Sequence, residues 1–256
     1  MRILIACLSA LILGVTAAHA KEEVVAGLSQ NMVSINATFV GSEILIFGAV
    51  KRETPAPADE PLEVVVVVEG PNVPVTVRKK DKRFGIWVNT DALDIASAPS
   101  FYAVSASSTL DGSINILDDL RHLVSVNRAI TISDNIFTNI DPTEFTEALI
   151  RIRENNGTYR LLENNVTVRQ DTLFDTRIAL PSNLTEGEYR TRILLTRAGY
   201  VAASYETVIN VQKVGLERWI YNLAHNQPLI YGLLSLFIAI AAGWGASSIF
   251  RFILRG

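Results

Sequence analysis

The segment Leu229–Phe250, LIYGLLSLFIAIAAGWGASSIF, contains no charged side chain in 22 consecutive residues. As an α-helix it would be about 33 Å long, enough to cross a hydrocarbon core of about 30 Å. We therefore predict one transmembrane helix at residues 229–250. Because this helix lies near the C-terminus, only a short tail, residues 251–256, would lie on its far side.

The N-terminus has the features of an export signal. Arg2 precedes an apolar stretch, and Ala18-His19-Ala20 is typical of a cleavage site. We predict a signal peptide at residues 1–20, whose removal would also remove Cys7, the only cysteine. Export of the N-terminus would place the bulk of the chain in the periplasm. The protein would then be a single-pass inner-membrane protein with a cytoplasmic C-terminus, where Arg251 and Arg255 satisfy the positive-inside rule.

Composition and motifs argue against several functional classes. Without Arg2 the chain has 22 basic and 26 acidic residues, and this net acidic balance does not favour nucleic-acid binding. The mature chain would retain two histidines, His122 and His225, and no metalloprotease, nucleophile-elbow or phosphate-loop motif occurs. We expect no enzymatic activity and no cofactor. Asp118, Asp119 and His122 could in principle form a ligand set, but a solvated helix face is the simpler interpretation.

Residues 21–108 are predicted to form a β-sandwich region. Apolar residues alternate with polar ones around Val33 and around Ile44. The continuous apolar run Val64–Val68 is typical of a central strand that is buried on both faces.

A hairpin is predicted within this region, from Pro74 to Thr90, with a basic turn at its end. The turn contains five basic residues, which form a candidate basic patch: Arg78, Lys79, Lys80, Lys82 and Arg83. Such a patch could meet anionic lipids or an acidic partner, although a solvated turn is the simpler interpretation. Trp87 follows the turn and is predicted to be part of the core, because large aromatic residues are buried on average.

Residues 109–157 are predicted to be helical. The second helix of this segment has the clearer start, since Asp141-Pro142-Thr143-Glu144 combines an acidic N-cap with proline at the first helical position. Residues 158–212 form a second predicted β region. Within it, Gly187-Glu188-Tyr189 resembles the tyrosine corner of immunoglobulin-like sandwiches. The predicted fold is thus mainly β, with two immunoglobulin-like sandwich regions, a helical segment between them and one C-terminal membrane helix.

Residues 213–228 are predicted to form an amphipathic helix at the membrane surface, next to the span. Its aromatic residues and those flanking the span suit the interface: Trp219, Tyr221 and Tyr231, together with Arg251 and Arg255. Within the span, small residues recur every fourth position at Ala239, Gly243 and Ser247. A face of this kind permits close contact with another helix in lipid.

Four segments of the chain resemble one family, the transmembrane protein family of the alphaproteobacteria. They are GPNVPVTVRKKDKRFGIWVNT at 70–90, PSFYAVSAS at 99–107, LPSNLTEGEYR at 180–190 and KVGLERWIYNLAHNQPLIYG at 213–232. The resemblance implies the same single anchor and supplies no catalytic residue. It also implies an association with sulfite-exporter-like permeases, beside which members are often encoded.

Two functional hypotheses follow. The first is a non-enzymatic accessory subunit that binds another inner-membrane protein, for which a transporter such as a sulfite-exporter-like permease is the candidate. The alternative is a periplasmic module that binds a solute or anion through the basic patch. A carboxylate-dependent hydrolase is the least favoured of the interpretations.

Overall fold

A computed structural model describes residues 22–36, 38–52, 60–133 and 141–253, without the side chains of 216–218 and 248–253. The predicted signal peptide and Arg255 lie outside the described residues, as does the side chain of Arg251. The strands are β1 Glu23–Leu28, β2 Met32–Ile35, β3 Ser42–Lys51, β4 Leu62–Glu69, β5 Asn72–Arg83, β6 Ile86–Pro99, β7 Tyr102–Ala106, β8 Thr131–Ile132, β9 Tyr159–Leu162, β10 Thr167–Arg169, β11 Leu173–Leu180, β12 Gly187–Arg197 and β13 Tyr200–Lys213. The helices are α1 Leu110–Ser113, α2 Ile116–His122, α3 Val126–Ala129, α4 Pro142–Asn155, α5 Leu216–Asn226 and α6 Pro228–Ile253.

The strands form three sheets. The first has the order β1-β3-β11-β10, the second has the order β2-β13-β12-β4-β7-β9, and the third has the order β5-β6-β8. The fold is therefore mainly β with a C-terminal apolar helix, as the sequence predicts. The arrangement of the two predicted β regions is different, because strands from residues 21–108 and from 158–212 are neighbours in the first two sheets.

The six-stranded sheet lies between two apolar cores, because the valine side chains of β4 are buried on both faces of the sheet. Val64, Val66 and Val68 contribute to a core shared with the four-stranded sheet. Val65 and Val67 belong to a second core on the opposite face, together with residues of the third sheet and of α4. All five valines are at most 1% exposed. The valine run thus organises the whole body of the protein into layers, which explains why neither predicted sandwich is separate.

The predicted tyrosine corner is present at the start of β12. The Tyr189 hydroxyl donates a hydrogen bond of 2.9 Å to the carbonyl oxygen of Thr185, four residues upstream. The Tyr189 ring is fully buried beside Phe101, at 5.9 Å between ring centroids. This contact fixes the entry of β12 into the central sheet.

The helical region contains the predicted helix start and a crossover connection. Asp141 caps α4 by accepting a hydrogen bond of 2.9 Å from the Thr143 backbone N–H. This bond lowers the pKa of the Asp141 carboxyl group. Phe145 and Leu149 point into the second core. After α4, Gly157 adopts a φ of +70°, and the chain enters β9, which pairs with β7 in parallel.

The hairpin differs most from its prediction. Strand β5 continues through the whole basic segment to Arg83, and the turn consists of Phe84 and Gly85 alone. Trp87 is 69% exposed, so its assignment to the core is wrong. The reason is that β5 and β6 extend beyond the body, and this part of the hairpin has no layer to pack against.

Candidate functional site

The hairpin tip, defined as residues 78–89, is the first candidate site. Its turn joins a pair formed by Arg83 and Ile86. Phe84 and Gly85 have φ values of +51° and +85°, and positive φ at both central residues is what a type I′ hairpin turn requires. The turn therefore closes the hairpin tightly and presents the Phe84 side chain at its apex.

Three large apolar side chains of the tip are in water. Phe84 is fully exposed, and Ile86 is 65% exposed. Trp87 pairs across the strands with Lys82, while Ile86 pairs with Arg83. Because paired residues share a face of the sheet, each face of the tip has an apolar side chain beside a basic one. The sequence analysis assigned Trp87 to the core and did not single out Phe84 or Ile86, although their position beside five basic residues was the available signal.

The predicted basic patch lies on β5. Some of its residues lie close to carboxylates, and the others form no ion pair in the part of the chain that the structure describes. Lys79 donates hydrogen bonds of 2.8 and 2.9 Å to the carboxylate of Glu144 on α4, and this contact raises the pKa of the Lys79 ammonium group. Arg83 lies 3.7 Å from the Asp81 carboxylate. Within the described residues, Arg78, Lys80 and Lys82 form no ion pair. The unpaired positive charge is thus concentrated on these three residues.

A groove lies beneath the tip, between β5 and α4. Its volume is about 330 Å³, and its lining includes Arg78, Lys80 and Arg151 as well as the carboxylates of Glu144 and Glu147. The acidic side chains offset much of the positive potential that an anion would encounter there. The geometry therefore gives limited support to an anion site in this groove.

A second candidate surface is an apolar stripe on α2 and the residue that follows it. Ile116 and Leu117 are 76% and 70% exposed, and Leu120 and Leu123 are also exposed. The short helix is held in place by its ends. Asn115 caps it by accepting hydrogen bonds from two backbone N–H groups, and Arg192 donates to the carbonyl oxygen of His122. The apolar residues of this predicted helical segment therefore form an exposed face, which the sequence alone did not reveal.

The acidic residues of α2 are used to hold the fold together. The Asp118 carboxylate is buried and accepts a 2.9 Å hydrogen bond from the Val201 backbone N–H. Asp119 accepts bonds from the backbone N–H and the hydroxyl of Ser125, at 2.7 and 2.8 Å. The expectation that both are solvated is wrong for Asp118. Among the described residues, no group of three or more histidine, cysteine or acidic side chains is placed to hold a metal ion.

The C-terminal anchor is α6, and α5 precedes it in the chain. Residues Pro228–Ser247 are long and apolar enough to cross a membrane, and none of this segment is buried against the rest of the protein. The aromatic residues assigned to the interface, Trp219, Tyr221 and Tyr231, are all exposed. The Tyr221 ring stacks on His225 at 4.0 Å between ring centroids.

The predicted helix-contact face lies along α6. Ala239, Gly243 and Ser247 fall on one side of the helix by their spacing. Apart from its chain neighbours and the backbone of its own helix, no atom of the described residues lies within 4 Å of where a Cβ of Gly243 would be, so another helix could approach the backbone closely there. The involvement of this face in a helix contact stays a prediction.

Comparison with known protein families identifies the family of this chain. A family model described as "Putative transmembrane protein" matches residues 23–252, which include the β body, α5 and nearly all of α6. Among curated proteins, none matches this chain.

Proposed function

The chain belongs to the transmembrane protein family whose model it matches, and from this premise we propose that it is a membrane-anchored accessory subunit that binds another integral membrane protein. In this proposal the body is periplasmic, and α6 crosses the inner membrane once with the C-terminus in the cytoplasm. The export features of residues 1–20 and the basic residues after the span support this orientation. A transporter such as a sulfite-exporter-like permease is the partner favoured by the family resemblance.

The exposed apolar stripe on α2 is the observation on which the proposal rests. Four large aliphatic side chains in eight residues remain in water: Ile116, Leu117, Leu120 and Leu123. Contiguous exposed apolar surface on a folded protein commonly marks an interaction site. Burial of these side chains against a partner would release free energy at about 25 cal/mol per Å² of apolar surface.

The link between the body and the anchor supports a partner in the same membrane. Only Val214 and Gly215 separate the end of β13 from the start of α5. A linker of two residues cannot hold the body far from the bilayer, so the body remains close to proteins embedded there. No enzymatic role is part of this proposal, and the carboxylates of α2 are already engaged in backbone hydrogen bonds.

The alternative function, a solute- or anion-binding module, has weaker support. The groove beneath the hairpin tip contains Arg78, Lys80 and Arg151, which could attract an anion. Glu144 and Glu147 line the same groove, and Lys79 is already paired with Glu144. Because acidic and basic side chains line the groove together, its support for anion binding is weak. The exposed apolar stripe on α2 gives stronger support for binding a protein.

The proposal can be tested by photo-crosslinking of the full-length protein in its native membranes. A photoreactive amino acid at Leu117 should form a reproducible adduct with one integral membrane protein, which mass spectrometry would identify. The matched control places the same amino acid at Asn183, an exposed polar residue in the turn before β12. The control should not yield that adduct. Equal adduct patterns at both positions, or adducts only between copies of this chain, would contradict the proposal.

A further inference from the structure

The turn of the hairpin tip holds its apex residue in an unfavourable conformation. Phe84 adopts a φ of +51°, a region that costs an L-residue roughly 1–2 kcal/mol. Asparagine, aspartate and glycine are the residues that normally occupy such turn positions. Phe84 is fully exposed, so burial within the body does not compensate for this cost. A strained, water-exposed aromatic residue is understandable if its side chain is used outside the protein.

The chemistry of the tip suits the surface of an anionic bilayer. Phe84, Ile86 and Trp87 supply apolar and aromatic side chains, and tryptophan prefers the headgroup level of a membrane. Arg78, Lys80 and Lys82 supply positive charge, and none of the three forms an ion pair within the described residues. Each basic residue near an anionic leaflet contributes about 1 kcal/mol of attraction. Apolar insertion and charge attraction would thus act together at one place.

The position of the hairpin is compatible with this contact. The end of β13, which leads to the anchor, pairs with the start of β12 through Val211 and Gly187. Three residues further along β12, Arg190 pairs with Glu69 at the end of β4. The chain then enters β5 directly. The base of the hairpin therefore lies at the same end of the central sheet from which the anchor leaves, and β5, with 12 residues, is about 40 Å long.

We propose that the hairpin tip is a second membrane contact, in which Phe84, Ile86 and Trp87 enter the headgroup region of an anionic bilayer beside Arg78, Lys80 and Lys82. The bilayer is the one that the anchor crosses. This contact would hold the body at two points and restrict its rotation about the linker. The inference does not depend on the accessory function, because it concerns lipid alone.

A lipid surface fits the tip better than a protein partner does. The apolar side chains lie on both faces and at the apex, since Trp87 and Ile86 are consecutive residues of one strand. A protein groove would bury one face of the ribbon, whereas a bilayer can surround the apex from every side. The intermixed basic residues match anionic headgroups by charge without requiring a fixed partner geometry.

Tryptophan fluorescence of the full-length protein in proteoliposomes can test this contact. The chain has three tryptophans, so the Trp219→Phe and Trp244→Phe substitutions leave Trp87 as the only one. Phospholipids brominated on their acyl chains quench tryptophans that enter the bilayer. In vesicles rich in brominated phosphatidylglycerol, we expect Trp87 emission to shift to shorter wavelength and to fall by about half. In brominated phosphatidylcholine alone, the loss should be much smaller because the charge attraction is absent.

Two controls separate this contact from the anchor. A protein with Trp219 alone, made with Trp87→Phe and Trp244→Phe, should be quenched in both lipids, since α5 is adjacent to the span. Replacement of Arg78, Lys80 and Lys82 by glutamine should reduce quenching of Trp87 in anionic vesicles without affecting Trp219. Trp87 emission unaffected by brominated phosphatidylglycerol would overturn the proposal, and a protein partner would then be the occupant of the tip. Equal quenching of Trp87 in both lipids would overturn the charge-dependent contact.

A further variant tests the role of Phe84 in lipid contact without disturbing the fold of the hairpin. Phe84→Asn places a favoured residue in the turn, so the hairpin should fold at least as well as the wild type. We expect this variant to lose about half of the anionic-lipid quenching of Trp87, because the apex no longer inserts. Quenching equal to that of the wild type would show that Phe84 is not part of the contact and would contradict the proposal.

Discussion

Strand β4 and the hairpin tip are both β structure, yet they have opposite surroundings. The valines of β4 are buried on both faces, whereas the apolar residues of the tip are in water on both faces and at the apex. The difference does not lie in apolar content, because both segments contain several large apolar side chains. It lies in what surrounds each strand, since β4 is paired on both sides within the central sheet and the tip extends past the body. Whether an apolar strand residue of this protein is buried therefore depends on the layers around its strand.

The largest effect that distinguishes the two segments is expected from a buried charge. Val66→Asp would place a carboxylate among the buried apolar side chains of the first core, and should destabilise the protein by at least about 4 kcal/mol or prevent its accumulation. Trp87→Asp in the tip should change the free energy of unfolding by no more than about 0.5 kcal/mol. Thermal unfolding of the full-length variants in detergent measures both effects. Similar losses for the two variants would contradict the assignment of the tip as an exposed segment.

Two ion pairs, one buried and one exposed, allow a second comparison of how burial affects stability. Glu22 accepts hydrogen bonds of 2.8 Å from both Arg197 and Arg52, and its side chain is 4% exposed. Glu22→Ala should cost about 3–5 kcal/mol, because the buried Arg197 would lose its counter-charge. The neighbouring Glu23 pairs with Lys51 at 3.1 Å on the surface, and Glu23→Ala should cost less than about 1 kcal/mol. Chemical denaturation of both variants should show this order, and the reverse order would be inconsistent with the buried network.

Local patterns predicted the elements that local chemistry determines. The valine run Val64–Val68 identifies a central strand, Asp141 identifies the start of α4, and Tyr189 identifies the corner before β12. Pairing between distant segments was not predictable in this way. Glu22 and Arg197 meet across 175 residues of sequence, and nothing near either residue indicates the other.

The candidate surfaces were predictable only in part. The basic residues of the tip were identified by their charge, but the exposure of Trp87 depends on how far β6 extends past the body. Similarly, the spacing of Leu117 and Leu120 indicates a helix and does not reveal whether its apolar face is covered. The anchor was predictable because an uncharged apolar segment of this length is characteristic of a membrane span.

Alkaline pH should weaken the protein, and two buried tyrosines of the second core contribute to this loss. Burial raises the pKa of Tyr159 to about 12 and also raises the pKa of Tyr102. In the unfolded chain these phenols ionise near pH 10, so the unfolded state loses its protons first as the pH rises. The free energy of unfolding should therefore fall between pH 10 and 12, by about 2 kcal/mol for Tyr159.

Tyr159→Phe isolates this contribution. At pH 8 the variant should be less stable by about 1 kcal/mol, since the hydrogen bond from Tyr159 to the Pro99 carbonyl oxygen is lost. Between pH 10 and 12 its stability should fall less steeply than that of the wild type. Urea denaturation at several pH values gives both slopes, and identical slopes would show that Tyr159 ionises normally in the folded protein.

A small effect of the opposite sign is expected at the apex of the hairpin. Phe84→Asn should stabilise the protein by up to about 1 kcal/mol, because asparagine tolerates the positive φ of this turn better than phenylalanine. Gly85→Ala is the matched control. Its Cβ would meet no atom within 4 Å, so its expected loss of about 1 kcal/mol arises from the φ of +85° alone. A destabilised Phe84→Asn variant would mean that Phe84 supports the fold.

The most direct test of the accessory function is the composition of the complex that contains this protein in its native membranes. The full-length protein would be extracted in a mild detergent and its assembly measured by native mass spectrometry. We predict a second, different membrane protein in the wild-type assembly and its loss when Leu117 and Leu120 on the exposed stripe are both replaced by glutamate. Wild-type protein found only alone or in multiples of its own mass would contradict the accessory function.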